Sequence, residues 1–210
     1  MGIVNELWEH PHPAALLCVL GFVAGSIPFG LILALVFGKT DIRAAGSGNI
    51  GATNVARVVG KKLGVITLLL DALKGALPVV LAMHVVDPDF SDRGMAFVGA
   101  LVGLCALLGH CFTPWLRFKG GKGVATGLGV LLALEPEVAG YGVVAFATAF
   151  AASRLVSVSS LSAAVVVVIA LLLRGPVDAA VVPIVLCLLV IGMRHIENVR
   201  RVFRRQELKL

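Results

Sequence analysis

Apolar runs separated by short polar breaks fill this chain, and several are long enough for membrane-spanning helices of about 20 residues. Residues 14–37 form the first run, broken at Ser26 and Pro28, where proline can kink a helix. Residues 63–86 and 94–112 form the second and third. Each approaches the roughly 20 residues that a helix needs to cross a bilayer. Residues 124–134 and 138–152 flank Glu135-Pro136-Glu137, and two further runs cover 160–173 and 177–193. Closely spaced breaks and the lack of long alternating segments argue against a β-barrel.

The stretch 124–152 decides the topology. Eleven helical residues reach only about 16 Å, short of a core of about 30 Å, which favours one span. One span, however, would put Glu135 and Glu137 deep in lipid and would place the arginine-rich tail opposite the other basic loops. Two short helices avoid both, starting near Gly120, with the bilayer thinning locally at modest cost. The expectation is therefore an all-α integral membrane protein of seven transmembrane helices, N-terminus outside and C-terminus cytoplasmic. Residues 1–210 make one polytopic domain. The charges then sort by side: 15 of the 18 cations lie inside, whereas 8 of the 12 acids lie outside. The cation bias follows the positive-inside rule. Asp71 and Lys74 fall within the second run, at i and i+3 on one helix face, where they can pair. The pair is either structural, or Lys74 points toward an anionic site.

Composition agrees with a membrane protein: 59% hydrophobic and 14% charged, against about half and a quarter in soluble domains. The net charge of +6 follows from basic cytoplasmic loops, so no nucleic-acid partner is needed to explain it. Cys18, Cys105, Cys111 and Cys187 sit in or beside apolar runs without a CxxC pair, and five histidines are scattered. Buried thiols, not a disulfide or metal site, are expected, and no cofactor is implied. Residues 1–13 carry Glu6 and Glu9 but no Lys or Arg, unlike a cleavable signal peptide, so the first span is expected to direct its own insertion.

Three polar stretches carry candidate chemistry, and all fall on the cytoplasmic face. Gly46-Ser47-Gly48-Asn49-Ile50-Gly51-Ala52-Thr53-Asn54, closed by Arg57, packs glycines among neutral donors. Such a run can turn its amides toward one anion, and Arg57 adds a charged fork; a turn with helix-capping side chains would look similar. Phe118-Lys119-Gly120-Gly121-Lys122-Gly123-Val124-Ala125-Thr126 can bring amides and a mobile ammonium to a phosphate. It is also readable as a basic interfacial turn. GK followed by Gly is not a Walker A loop, so nucleotide hydrolysis is not expected. In Arg194-His195-Ile196-Glu197-Asn198-Val199-Arg200, a helix would put His195 and Asn198 on one face, where His195 can orient or deprotonate a hydroxyl. A short serine turn, Ser157, Ser159 and Ser160, follows Arg154.

No nucleophile elbow, Cys–His pair or paired carboxylates are visible, so a covalent enzyme intermediate is not supported. A site that neutralises anions and positions a hydroxyl suits an electrophile already carrying a good leaving group, such as an acyl phosphate. A transporter for a phosphorylated metabolite is the alternative. Transporters usually show internal repeats and a midplane site, and neither is evident. A lipid-binding scaffold without chemistry is a third reading.

At GSGNIGATN, FKGGKGVAT and RHIENVR the chain resembles the bacterial acyl-phosphate-dependent glycerol-3-phosphate acyltransferases, the PlsY family, over nearly its whole length and in the expected order. The resemblance implies a seven-helix fold. It implies transfer of a fatty acyl group from acyl phosphate to the 1-hydroxyl of sn-glycerol 3-phosphate, giving lysophosphatidic acid and phosphate at the bacterial inner membrane. By motif position, Ser47, Asn49, Thr53, Asn54, Arg57, Gly120, Gly121, Lys122, Ser160, His195 and Asn198 would bind substrate, with Ser47, Lys122, His195 and Asn198 closest to the chemistry. The glycine amides would join Lys122 on the acyl phosphate. Implied partners are the two small substrates and membrane lipid, with functional coupling to the soluble enzyme that makes acyl phosphate.

Overall fold

A computed structural model of the chain describes residues 11–85, 91–174 and 179–210. The side chains of residues 11 and 12 fall outside that description, as does most of the acidic turn expected at 87–92. Ten α-helices follow in order among the described residues: α1 (Pro11–Ser26), α2 (Phe29–Gly38), α3 (Ala52–Val58), α4 (Lys61–Val85), α5 (Asp92–Cys111), α6 (Val124–Leu134), α7 (Pro136–Ser153), α8 (Val156–Leu173), α9 (Val181–Arg194) and α10 (Ile196–Phe203). Pro28 separates α1 from α2 because it lacks an N–H and restricts the residue before it. The stretch 13–38 still reads as one apolar crossing.

Among the described residues, four stretches are long and apolar enough to cross a membrane: Pro13–Gly38, Lys61–Val85, Asp92–Leu116 and Val156–Leu173. The pair α9 and α10, bent by 46°, makes a fifth if taken together. The split expected at Glu135 is present. There α6 stops after eleven residues and Pro136 opens α7, as proline does at a first helical position. Two starts differ from expectation. The second motif stays non-helical up to Gly123, so α6 begins at Val124 and not near Gly120. The serines expected in a turn lie in the first turns of α8, where Ser159 and Ser160 donate to the carbonyls of Leu155 and Val156.

Helix α5 is the central post. Over half of its crossing window, 56%, is buried, against 28% for α8. It packs against α1, α4 and α9, while α4 also holds α6, and α7 lies along α8. Small residues allow the closest crossings: a Cβ on Gly129 of α6 would sit 1.9 Å from the Ala72 carbonyl of α4. Leu131, Val138, Ala139, Val167, Leu171 and Ile184 join α6, α7, α8 and α9 in one apolar cluster. The outer faces are apolar too, with Leu69, Leu77, Val144, Leu172 and Leu189 exposed. Such faces suit lipid, where helices satisfy their own backbone. Arg174, at the end of α8, pairs with Glu135 and Glu137 at the start of α7. These charges therefore gather at one end of the bundle.

Candidate active site

The first motif is part loop and part helix. Gly46 and Gly48 take positive φ, 59° and 70°, which L side chains resist. Gly51 then precedes α3, which carries Thr53, Asn54 and Arg57. Asn54 is only 1% exposed. Its Oδ1 accepts from the Ser47 amide at 2.8 Å, and its Nδ2 donates to the carbonyls of Ile42 at 2.9 Å and Ala45 at 3.1 Å. Its amide is thereby committed to the loop, so Asn54 shapes the site although it also borders the cavity. Asn49 caps the Gly51 amide through Oδ1 at 2.9 Å.

The second motif is stitched to the end of α5. The Gly120 amide donates to the Cys111 carbonyl at 3.1 Å and the Gly121 amide to the His110 carbonyl at 3.0 Å. Their own carbonyls accept from Arg194, at 2.8 and 3.0 Å. This corrects the expectation that these two amides face an anion. Both glycines are buried scaffold: a Cβ at Gly121 would lie 2.0 Å from His110 Nε2. What the loop presents is Lys122, and Arg194 ties the third motif to the second.

The third motif breaks at His195, between α9 and α10. His195 is 2% exposed, and its Nδ1 lies 2.8 Å from the Ile191 carbonyl. That carbonyl accepts only, so the proton sits on Nδ1 and Nε2 is left as the ring's acceptor. Burial pushes His195 down to about 4, against the opposing pull of the Ile191 carbonyl. The ring is neutral at physiological pH. Lys122 is lowered to about 8, first by burial and then by Arg201, Arg194 and Arg57, with Glu207 opposing.

These elements enclose a cavity of about 160 Å³. Ser47, Asn49, Thr53, Asn54, Arg57, Lys122, Ser160, His195 and Asn198 all line it. Among the expected residues, Gly120 and Gly121 do not. Asp71, His110, Ser157, Arg201 and Glu207 also line it, and the motifs did not single them out as site residues. Asp71 was visible as a carboxylate inside an apolar run, and His110 stands just ahead of the second motif. Ser157 lay in the expected serine turn, whereas Arg201 and Glu207 had no signal beyond a charged tail.

Lys74 does not point at the cavity as one reading allowed. It lies 2.8 Å from Asp71 Oδ1 and donates to the Ile27 carbonyl at 2.7 Å, bracing the break between α1 and α2. The cavity thus holds Arg57, Lys122 and Arg201 against Glu207, while Asp71 is neutralised by its own lysine. It also offers neutral donors and one basic ring nitrogen, which suits a phosphorylated ligand carrying a hydroxyl.

The family model for glycerol-3-phosphate acyltransferase matches residues 15–205. This chain belongs to the glycerol-3-phosphate acyltransferase family. Relatives of that description include one from Anaeromyxobacter sp. (strain Fw109-5), 43% identical over 92% of this chain and 95% of the relative. Another, from Agrobacterium fabrum (strain C58 / ATCC 33970), is 42% identical over 100% and 98%. The chain is also similar to crystal structures of PlsY (YgiH), an integral membrane glycerol 3-phosphate acyltransferase. The glycerol 3-phosphate form aligns with a TM-score of 0.85 at 36% identity, covering 94% of this chain and 95% of that one. The lysophosphatidic acid form gives 0.82 at 35%, with the same coverage. As a PlsY-family acyltransferase the chain is an integral membrane protein, in keeping with its exposed apolar helices.

Proposed function

We propose that the chain transfers a fatty acyl group from acyl phosphate to the 1-hydroxyl of glycerol 3-phosphate, releasing lysophosphatidic acid and phosphate. The observation that carries this reading is the convergence of three separate motifs on one cavity lined by Arg57, Lys122, His195 and Asn198. The hydroxyl oxygen attacks the acyl carbonyl carbon, and the bond from that carbon to the phosphate oxygen breaks. Lys122 and the donors Ser47, Asn49 and Thr53 stabilise charge gathering on the leaving phosphate. Arg57 holds the phosphate of glycerol 3-phosphate as a fork. His195 Nε2 accepts the hydroxyl's hydrogen bond, with Asn198 and Ser160 alongside.

A ring titrating near 4 is a weak base. A phosphate dianion, with its second pKa near 6, is the better proton acceptor. His195 in this scheme orients and the phosphate carries the proton away. The acyl chain lies between helices, in lipid.

The same reading takes residues 1–210 as one domain with seven crossings, N-terminus outside, C-terminus cytoplasmic and the cavity open to the cytoplasm of a bacterial inner membrane. Acyl phosphate then arrives from a soluble enzyme that forms it. Purified protein incubated with acyl phosphate and labelled glycerol 3-phosphate is expected to yield labelled lysophosphatidic acid, while acyl-CoA as sole donor yields none. Lipid formed only from acyl-CoA would overturn the donor assignment.

A further inference from the structure

Behind the second motif lies a buried polar group that takes no direct part in the proposed chemistry. Asp71 and Lys74 of α4 pair inside the bundle, their side chains each only 3% exposed. His110 joins them from α5, its Nδ1 3.8 Å from Asp71 Oδ1. That distance exceeds a hydrogen bond, and the buried Nδ1 has no hydrogen-bond partner among the described residues. Ionisable side chains are costly within a bilayer and seldom kept there without a use. Apolar side chains of similar size would hold α4 to α5 without that cost.

His110 grips the second motif twice. Its carbonyl accepts from the Gly121 amide at 3.0 Å. Its ring lies against the same residue: a Cβ on Gly121 would fall 2.0 Å from Nε2, 2.7 Å from Cε1 and 3.0 Å from Cδ2. One edge of the ring thus rests on Gly121 while Nδ1 turns to Asp71. Arg194 holds the carbonyls of Gly120 and Gly121, so the loop is pinned by a second element as well. The next residue is Lys122. Asp71, His110 and Lys122 border the same cavity.

We infer that His110 is a positioning residue for the acyl transfer: the Asp71 carboxylate orients its ring, the ring sets the height of Gly121, and Gly121 delivers the Lys122 ammonium to the leaving phosphate. The inference rests on the proposed reaction, in which Lys122 serves the donor and Arg57 the glycerol 3-phosphate. Disturbing the ring then affects turnover and spares acceptor binding. A misplacement of about 1 Å in such a group can cost roughly 100-fold.

The test uses the full chain in nanodiscs, with kcat, the pH profile of kcat/KM, and glycerol 3-phosphate binding by calorimetry. His110→Ala removes the ring and its contact with Asp71. His110→Asn keeps a donor at the Nδ1 position but loses the edge against Gly121. In both, kcat is expected to fall roughly 10- to 100-fold. The Kd for glycerol 3-phosphate is expected to stay within about twofold, as for a change confined to turnover. The alkaline limb set by Lys122 at about pH 8 is expected to move up, because space opened beside the loop admits water and relieves the burial that lowers it. Arg57, Arg194, Arg201 and Glu207, the charges acting on Lys122, are untouched by either substitution. Gly121→Ala/His110→Ala, where the new Cβ fills part of the vacated space, is expected to regain part of the kcat lost by each single variant. Wild-type turnover in His110→Ala or His110→Asn, a loss of acceptor binding that matches the loss of turnover, or an unmoved limb overturns the positioning role and leaves the reaction standing. If His110→Ala does not fold, His110→Asn decides; if neither folds, His110 is structural only and the inference is overturned. No lysophosphatidic acid from the wild type overturns the proposed reaction, and this inference with it.

Discussion

Lys122 shows how burial sets a working charge. Its ammonium, lowered to about 8, is present below that pH and lost as pH rises through it. In the free protein kcat/KM is therefore expected to fall on the alkaline side of pH 8. Lys122→Arg, charged throughout, is expected to abolish that limb while keeping some turnover. Lys122→Ala is expected to lose roughly 100- to 1000-fold in kcat, the usual effect of removing one oxyanion donor. A pH profile of the three proteins checks both. Asn54 acts at one remove. Asn54→Ala leaves the Ser47 amide and the carbonyls of Ile42 and Ala45 without their partner, at about 1–3 kcal/mol for a buried polar group left unpaired. Its fold is expected to persist with activity largely gone, which circular dichroism and the acyltransfer assay would separate.

Among elements, the second motif and the helix crossings depend on absent side chains. Gly121→Ala would drive a Cβ into the His110 ring, and Gly129→Ala would press one on the Ala72 carbonyl. The first is expected to cost activity by moving Lys122. The second is expected to cost thermal stability in detergent by parting α4 and α6. Gly140 has no heavy atom near where its Cβ would be, and it lies within α7. Gly140→Ala is expected to raise stability slightly, by roughly 0.5–1 kcal/mol, with activity unchanged. A melting curve for each variant decides whether crowding or composition governs these sites. Element boundaries were legible where proline marks them, at Pro28 and Pro136. They were less so where serine serves equally as turn or first helical turn, as at Ser157–Ser160.

For the whole molecule, charge placement makes a topology experiment direct. Lys39 is exposed on the first-motif side and Arg174 lies at the end gathered around Glu135 and Glu137. With the four natural cysteines replaced, Lys39→Cys is expected to react with a membrane-impermeant maleimide only from the cytoplasmic side, and Arg174→Cys only from outside. Labelling of both from the same side would refute the seven-crossing arrangement.

Hydrophobic run length sufficed for the membrane class, the acidic break Glu135-Pro136-Glu137 marked where two helices part, and glycine among polar donors marked the first two motifs, with the His195–Asn198 spacing marking the third. These follow from one-dimensional quantities: apolar length against bilayer thickness, and residue type at close spacing. Tertiary structure decided which atoms in each motif remain free. Gly120 and Gly121 read as amide donors in sequence, yet the end of α5 takes their N–H groups. Asn54 reads as a ligand donor, yet its loop uses it. Lys74 turns to a carbonyl 47 residues away, and Glu207 reaches Ser157 across 50. Hydrogen-bond partners so distant along the chain leave no periodic trace in sequence, because they exist only once the helices have packed.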